Sequence, residues 1–182
     1  MNNLVDKINN KEVFLYPTDT VWGLGCDATD EDAVNKIFKI KNRAESKSLI
    51  ILVDSIEMLK DYIDIIPEEA LHILNEATRP TTIIYNNPKG LAKNVVASDN
   101  TVAIRIVKHD FCQKLIENLG KPIVSTSANV SGEPTPKTFS EISKAILESV
   151  DYVVDLQHDS KSDKSSRILK INTDGTIEVI RD

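Results

Sequence analysis

Cysteine is scarce in this 182-residue sequence. Cys26 and Cys112 are the only two, too few for a disulfide scaffold or a four-cysteine zinc site. The three histidines, His72, His109 and His158, are scattered singly and form no metal-ligand spacing. Six glycines (Gly23, Gly25, Gly90, Gly120, Gly132 and Gly175) build neither GxxxxGK[ST] nor GxGxxG, so the two familiar phosphate-binding loops are absent. Long apolar runs are missing too. Leu49–Val53 is among the longest, so no segment is expected to span a membrane. Met1 to Lys7 mixes Asn, Asp and Lys without the apolar stretch of a secretory signal, and a reduced, cytoplasmic setting is expected. Positive charge is in deficit, with 22 bases against 28 acids and a net charge of −6. That weighs against a broad nucleic-acid clamp, so an anion site must be a local concentration of Lys and Arg.

What is present is globular: 41% hydrophobic and 27% charged residues. Strand-like and helix-like segments alternate. Val13–Tyr16, Leu49–Val53, Thr81–Tyr85, Val102–Ile106, Pro122–Ser125 and Tyr152–Leu156 read as strands. Ile168–Ile171 and Thr176–Ile180 flank Asp174-Gly175, a hairpin signal. Helices are expected from about Asp30 to Lys41 behind a Thr29/Asp32 capping box, and over Ile56–Ile63. Others are expected from Pro67 to Ala77, from Asp110 as cap to Gly120, and from near Ser140. The expected product is a single α/β or α+β domain over 1–182 with a mixed sheet of roughly six to eight strands. Two stretches, Thr126–Thr138 and Gln157–Arg167, read as long loops of the kind that carry function.

Three segments concentrate polar chemistry. Tyr16-Pro17-Thr18-Asp19-Thr20-Val21-Trp22-Gly23-Leu24-Gly25 puts two threonines and an aspartate straight after a strand, where side chains crown a sheet. Lys36, Lys39, Lys41, Arg43 and Lys47 run off the end of a helix into a loop, outside the expected core. They suit a polyphosphate, or a solvated helix end whose bases complement the macrodipole. Ser125-Thr126-Ser127-Ala128-Asn129-Val130-Ser131-Gly132-Glu133-Pro134-Thr135 holds five hydroxyls and one amide, groups that can hold phosphate oxygens and a ribose.

Taken together, the sequence resembles the YrdC-like family of threonylcarbamoyl-adenylate synthases, called TsaC in bacteria. The resemblance rests on Pro17-Thr18-Asp19-Thr20-Val21-Trp22-Gly23-Leu24, with Trp22 where the family usually has tyrosine. It also rests on Lys41-Asn42-Arg43, on Val102-Ala103-Ile104-Arg105, and on the complete Ser127-Ala128-Asn129-Val130-Ser131-Gly132. Leu52 stands where some members have histidine. The implied fold is α+β and three-layered: a twisted mixed sheet flanked by helices, with a deep basic cavity and no additional C-terminal domain.

The implied reaction joins L-threonine, bicarbonate and ATP into threonylcarbamoyl-adenylate and pyrophosphate, a nucleotidyltransferase step toward threonylcarbamoyladenosine in tRNA. The resemblance assigns L-threonine to Thr20, Arg105 and Ser166, with Arg105 on the carboxylate. It assigns ATP to Arg43, Lys47, Thr101, Ser125, Ser127, Asn129, Thr135 and Arg181, and the catalytic neutralisation of phosphate charge to Lys41 and Arg43. Mg²⁺ is expected to arrive with ATP rather than in a protein cage. Expected partners are downstream threonylcarbamoyl-transfer proteins, with a weak tRNA contact, double-stranded RNA binding and no membrane. The rival readings are a carbamoyl-adenylate-forming relative and a non-catalytic RNA-binding or ribosome-maturation module.

Overall fold

The computed structural model describes residues 1–42, 49–161, 164–172 and 174–182. Arg43 and Lys47, expected at the nucleotide, lie outside them.

Nine strands of the described residues form one sheet, in the order β7-β1-β2-β6-β3-β5-β4-β8-β9. In chain order they are β1 (Phe14–Tyr16), β2 (Gly23–Gly25), β3 (Ile50–Val53), β4 (Thr81–Asn86), β5 (Thr101–Ile106), β6 (Ile123–Ser127), β7 (Tyr152–Val153), β8 (Arg167–Ile171) and β9 (Ile177–Arg181). Three parallel pairs (β1/β7, β3/β5, β4/β8) stand among five antiparallel ones, so the sheet is mixed. The ninth strand, β2, hides inside the first polar segment, where Gly-Leu-Gly carries no strand periodicity. Six α-helices of the described residues pack on the sheet: α1 (Asn2–Asn9), α2 (Glu31–Ile40), α3 (Ile56–Tyr62), α4 (Glu68–Glu76), α5 (Asp110–Leu119) and α6 (Lys144–Ser149).

Local chemistry explains most boundaries. The α2 cap is Asp30, not Thr29: its carboxylate accepts from the N–H groups of Asp32 and Ala33. Asp110 is likewise the first residue of α5 rather than its cap, and Gly120 ends that helix at φ +67, the left-handed conformation that glycine adopts cheaply. The segment expected to start a helix near Ser140 makes a 3-10 turn at Phe139–Glu141, and α6 begins only at Lys144. The amphipathic α1, whose Leu4 and Ile8 are buried, was not anticipated because only two residues of its eight reach the core.

Strand alternation divides the sheet into two faces. One carries Ile51, Val53, Val102, Ile104 and Val124 and is buried under Val34, Ile37 and Phe38 of α2, Leu59 of α3 and Ala70 of α4. The other carries Phe14, Tyr16, Leu52 and Ile123 and is covered by Leu4 and Ile8 of α1 and by Cys112, Leu115 and Ile116 of α5. That second cover is incomplete. Beyond Leu52 and Ile123, on the same face, Ile50, Arg105 and Ser125 front an open cavity instead. Among the described residues, no helix is long and apolar enough to cross a membrane.

Candidate active site

The cavity is lined by residues of β2, β3, β5, β6, β8 and β9 and of the loops between them. Of the residues expected at a substrate site, Thr20, Arg105, Ser125, Ser127, Thr135, Ser166 and Arg181 all line it. The described lining adds the hydroxyls of Thr126 and Ser165 and includes no carboxylate.

Arg105 is the penultimate residue of β5 and is only 2% exposed. Its Nη1 and Nη2 each donate to Thr20 Oγ1 at 3.4 Å, and Nη2 lies 3.1 Å from Asp19 Oδ1. Nε is buried without a hydrogen-bond partner. The Thr20 hydroxyl is oriented by its neighbour. Thr18 Oγ1 donates to the Val21 carbonyl at 2.8 Å, so its lone pairs receive the Thr20 N–H at 3.0 Å and the Thr20 hydroxyl at 2.9 Å. Thr20 Oγ1 is thereby left accepting from Arg105.

Across the cavity, Arg181 Nε donates to the Ser166 carbonyl at 2.9 Å and Nη2 to Ser166 Oγ at 3.1 Å. Ser166 Oγ lies 2.8 Å from Thr82 Oγ1, which is fully buried on β4. Arg181 forms no ion pair among the described residues. Partial burial, and then the charge of Arg105, hold its pKa below the usual arginine value. Two guanidinium groups that repel each other across a cavity with no described acid make a local anion site in a chain of net charge −6.

Other expected residues stand elsewhere. Lys41 was expected at an exposed helix end but is 1% exposed. Its ammonium donates to the Ser127 carbonyl and, at 2.6 Å, to the Asn129 carbonyl, while the Lys41 carbonyl accepts from Ser131 N–H at 2.8 Å. It clamps the hydroxyl-rich loop to α2, because an ammonium in the interior must be solvated by carbonyls in place of water. Lys36 donates to the Lys11 carbonyl at 2.8 Å, and it does not line the cavity. Thr101 is at the far end of β5 with its hydroxyl on Asp99 at 2.6 Å. Asn129 braces its own loop, donating to the carbonyls of Val130 and Glu133. Neither lines the cavity. Trp22, in place of the usual tyrosine, is buried against Phe139 and His158. Leu52 pairs with Arg105 in register but fills the core under α5.

Sequence reasoning missed Thr82, Ile50 and Ile168. A threonine inside the apolar run Thr81–Tyr85 was the available signal, since a buried hydroxyl needs a partner. Both cysteine thiols are buried, and burial pushes their pKa values up, so neither is poised as a nucleophile. No group of three or more His, Cys, Asp or Glu side chains among the described residues could hold a metal ion.

Comparison with known proteins supplies the remaining findings. The model of the Sua5/YciO/YrdC family, described as "Telomere recombination", matches residues 6–182. The threonylcarbamoyl-AMP synthase of Pseudoalteromonas translucida is 35% identical over 147 residues, covering 79% of each chain. That of Xanthomonas campestris is 36% identical over 146 residues, covering 79% of this chain and 78% of the relative. The crystal structure of Pyrococcus abyssi (P. abyssi) Sua5 complexed with L-threonine superposes with a TM-score of 0.86 at 28% identity, covering 98% of this chain. The chain spans about half of that longer protein, 52% of its length. Escherichia coli (E. coli) YciO shares the fold at a TM-score of 0.85 and 24% identity, covering 100% of this chain and 87% of that one.

Proposed function

This chain belongs to the Sua5/YciO/YrdC family, and on that premise we propose that it is a threonylcarbamoyl-AMP synthase. The observation that carries the reading is the pairing of Arg105 and Arg181 in one hydroxyl-rich cavity. Two anionic substrates need two cationic anchors, and each arginine offers a fork suited to a carboxylate or a phosphate.

In this reading Arg105 holds the carboxylate of L-threonine, with Thr20 and Ser166 beside it. Arg181, Ser125, Ser127 and Thr135 hold ATP, and Arg43 and Lys47 are assigned to its phosphates. Thr101 and Asn129 support the nucleotide side from outside the cavity. Lys41 acts by fixing the carbonyls of Ser127 and Asn129. Mg²⁺ enters as the counter-ion of ATP and is thus part of the substrate.

The neutral threonine amine attacks the carbon of bicarbonate; a C–N bond forms, a C–O bond breaks, and the amine proton leaves with the displaced hydroxide as water, giving a carbamate. A carbamate oxygen then attacks the α-phosphorus of ATP, the bond to the β-phosphate breaks, and pyrophosphate leaves with the electron pair. No enzyme nucleophile is required. The protein's work is to orient two bound substrates and to neutralise the charge that builds on the leaving group. The product is a mixed anhydride. It suits onward transfer of the threonylcarbamoyl group to tRNA by other proteins, in the cytoplasm, with at most a weak tRNA contact by this chain itself.

The test is pyrophosphate release with each substrate withheld in turn. Release is expected only when ATP, L-threonine and bicarbonate are all present. Equal release without threonine refutes the reading; release that depends on an added carbamoyl donor in place of threonine points to carbamoyl-adenylate chemistry. Salt-sensitive binding of duplex RNA with no pyrophosphate release points to an RNA-binding module.

A further inference from the structure

We propose that Asp19 is a positioning residue: it holds the guanidinium of Arg105 from behind, so that the donors left over face the substrate cavity. The inference rests on the reading of Arg105 as the holder of the threonine carboxylate.

Asp19 and Thr20 are neighbours in the chain, yet they meet Arg105 from different sides. Thr20 lines the substrate cavity together with Arg105. Asp19 is not among the residues lining that cavity. It lines a second one of about 390 Å³, walled by Leu74, Ala77, Pro80 and Ile106. The guanidinium therefore stands in the partition between two cavities, gripped by a carboxylate on one side and open to a substrate on the other.

Arg105 and Asp19 side chains are 3% and 10% exposed, and two opposite charges this buried cannot part without leaving one of them stranded. Asp19 Oδ1 makes no hydrogen bond among the described residues, so what holds Nη2 at 3.1 Å is the charge of the carboxylate and not an aligned hydrogen bond. Asp19 Oδ2 accepts from the backbone N–H of Lys108 at 3.4 Å. Lys108 lies two residues beyond β5, so the strand that carries Arg105 also anchors the carboxylate that grips it.

The fork is nonetheless under-used. Nε has no hydrogen-bond partner, and both contacts to Thr20 are long, at 3.4 Å. Buried donors are normally satisfied, and a guanidinium held with idle donors is set to receive another acceptor. An acid on the substrate side would repel the incoming carboxylate. Placed behind, Asp19 restrains rotation of the fork and leaves its substrate-facing donors unobstructed. Asp19 touches neither reacting atoms nor substrate, so its effect reaches the reaction only through Arg105.

The experiment uses the full ¹⁵N-labelled chain with Asp19→Ala and Asp19→Asn. In the parent protein the Nη protons of Arg105 are expected as separate NMR signals, because the ion pair hinders rotation of the guanidinium. In Asp19→Ala they merge. Threonine titrated into the same samples binds about tenfold more weakly to Asp19→Ala. It binds about threefold more weakly to Asp19→Asn, whose neutral amide oxygen attracts the guanidinium less than a carboxylate does; AMP binding is unchanged in both. Formate, small enough to enter the second cavity, restores threonine affinity to Asp19→Ala and does not improve that of the parent. Asp19→Asn is nearly isosteric and keeps the test available if Asp19→Ala does not fold. Variants that bind threonine like the parent overturn the proposal. Equal losses of threonine and AMP binding also overturn it, since they mark general disruption. A parent protein that binds no threonine refutes the assignment of the site itself, which separates that failure from one confined to Asp19.

Discussion

Gly25 is the tightest point in the frame that supports the site, and its replacement by alanine has a calculable cost. A Cβ on Gly25 falls 2.7 Å from Phe14 Cζ, 2.7 Å from Tyr16 Cε1 and 3.0 Å from the Val124 carbonyl oxygen. Gly25 is not among the residues with positive φ, so alanine suffers no backbone penalty there. Restricting the unfolded chain even favours it by about 0.4–1 kcal/mol. Against that gain stand three close contacts inside a fully buried strand pair. Overpacking of this kind costs about 1–3 kcal/mol. The upper end applies because one partner is a backbone carbonyl of β6, which cannot swing aside as a side chain can and which also accepts from the Tyr16 hydroxyl at 3.2 Å. The net loss is about 2 kcal/mol, or a fall in Tm of about 4–8 °C for a domain of this size. Differential scanning calorimetry on the purified variant measures it. Gly23→Ala is the internal comparison. Its Cβ meets Ser125 Oγ and Tyr16 Cε1 at 3.4 Å, which the chain tolerates, but the methyl group projects beside a cavity-lining hydroxyl. It is expected to leave Tm nearly unchanged and to weaken nucleotide binding. A Gly25→Ala protein melting within about 1 °C of the parent would refute the reasoning.

Three further outcomes are expected. Lys41→Met strands the carbonyls of Ser127 and Asn129, so it should cost about 2 kcal/mol in urea denaturation and also weaken nucleotide binding; an unchanged unfolding midpoint would contradict the clamp. Asp30→Ala should lose about 1 kcal/mol at pH 7. Burial pushes the Asp30 carboxyl up, but bonds from the Ala33 N–H, Lys11 and the Asp32 N–H outweigh it and hold the pKa below the usual value. That stabilisation is complete above the unfolded pKa and is lost as pH falls through the folded one. Parent and variant should therefore converge as pH falls below the ordinary aspartate value, and a gap that stays constant through that acid range would count against the cap. Arg181→Ala should weaken binding of a non-hydrolysable ATP analogue about tenfold by calorimetry, more than it weakens threonine binding; equal affinities would remove Arg181 from the nucleotide side.

How much of this was legible depended on how local each signal was. The runs Ile50–Val53 and Thr101–Ile106 and the 3.6-residue spacing of Ala33, Ile37 and Ile40 declare strand and helix within a few residues, so those elements stand close to where they were expected. β2 escaped because Gly-Leu-Gly becomes a strand only by pairing with β1 and β6. The α2 cap was misplaced by one residue because Thr29 and Asp30 are both good caps. Thr29 is instead drawn to Asp27, its N–H and hydroxyl both donating to Oδ1 at 2.8 and 2.6 Å.

The site divides in the same way. The sequence by itself determined the chemical inventory and its family: Thr20, Arg105, Ser125, Ser127 and Thr135 are recognisable inside short segments, because a motif is a local arrangement of backbone and side chain, while Ser166 and Arg181 came only with the family resemblance. Only the tertiary structure decided which of them share a cavity. Arg105 and Arg181 come to opposite walls through the order β5-β4-β8-β9, a non-local pairing that no short window contains. The same long-range packing buries the Lys41 ammonium against carbonyls of a loop nearly ninety residues further along the chain. It also set Asp19 and Thr20, adjacent in sequence, on opposite sides of one guanidinium, because the partition between the two cavities exists only once the sheet has closed around Arg105.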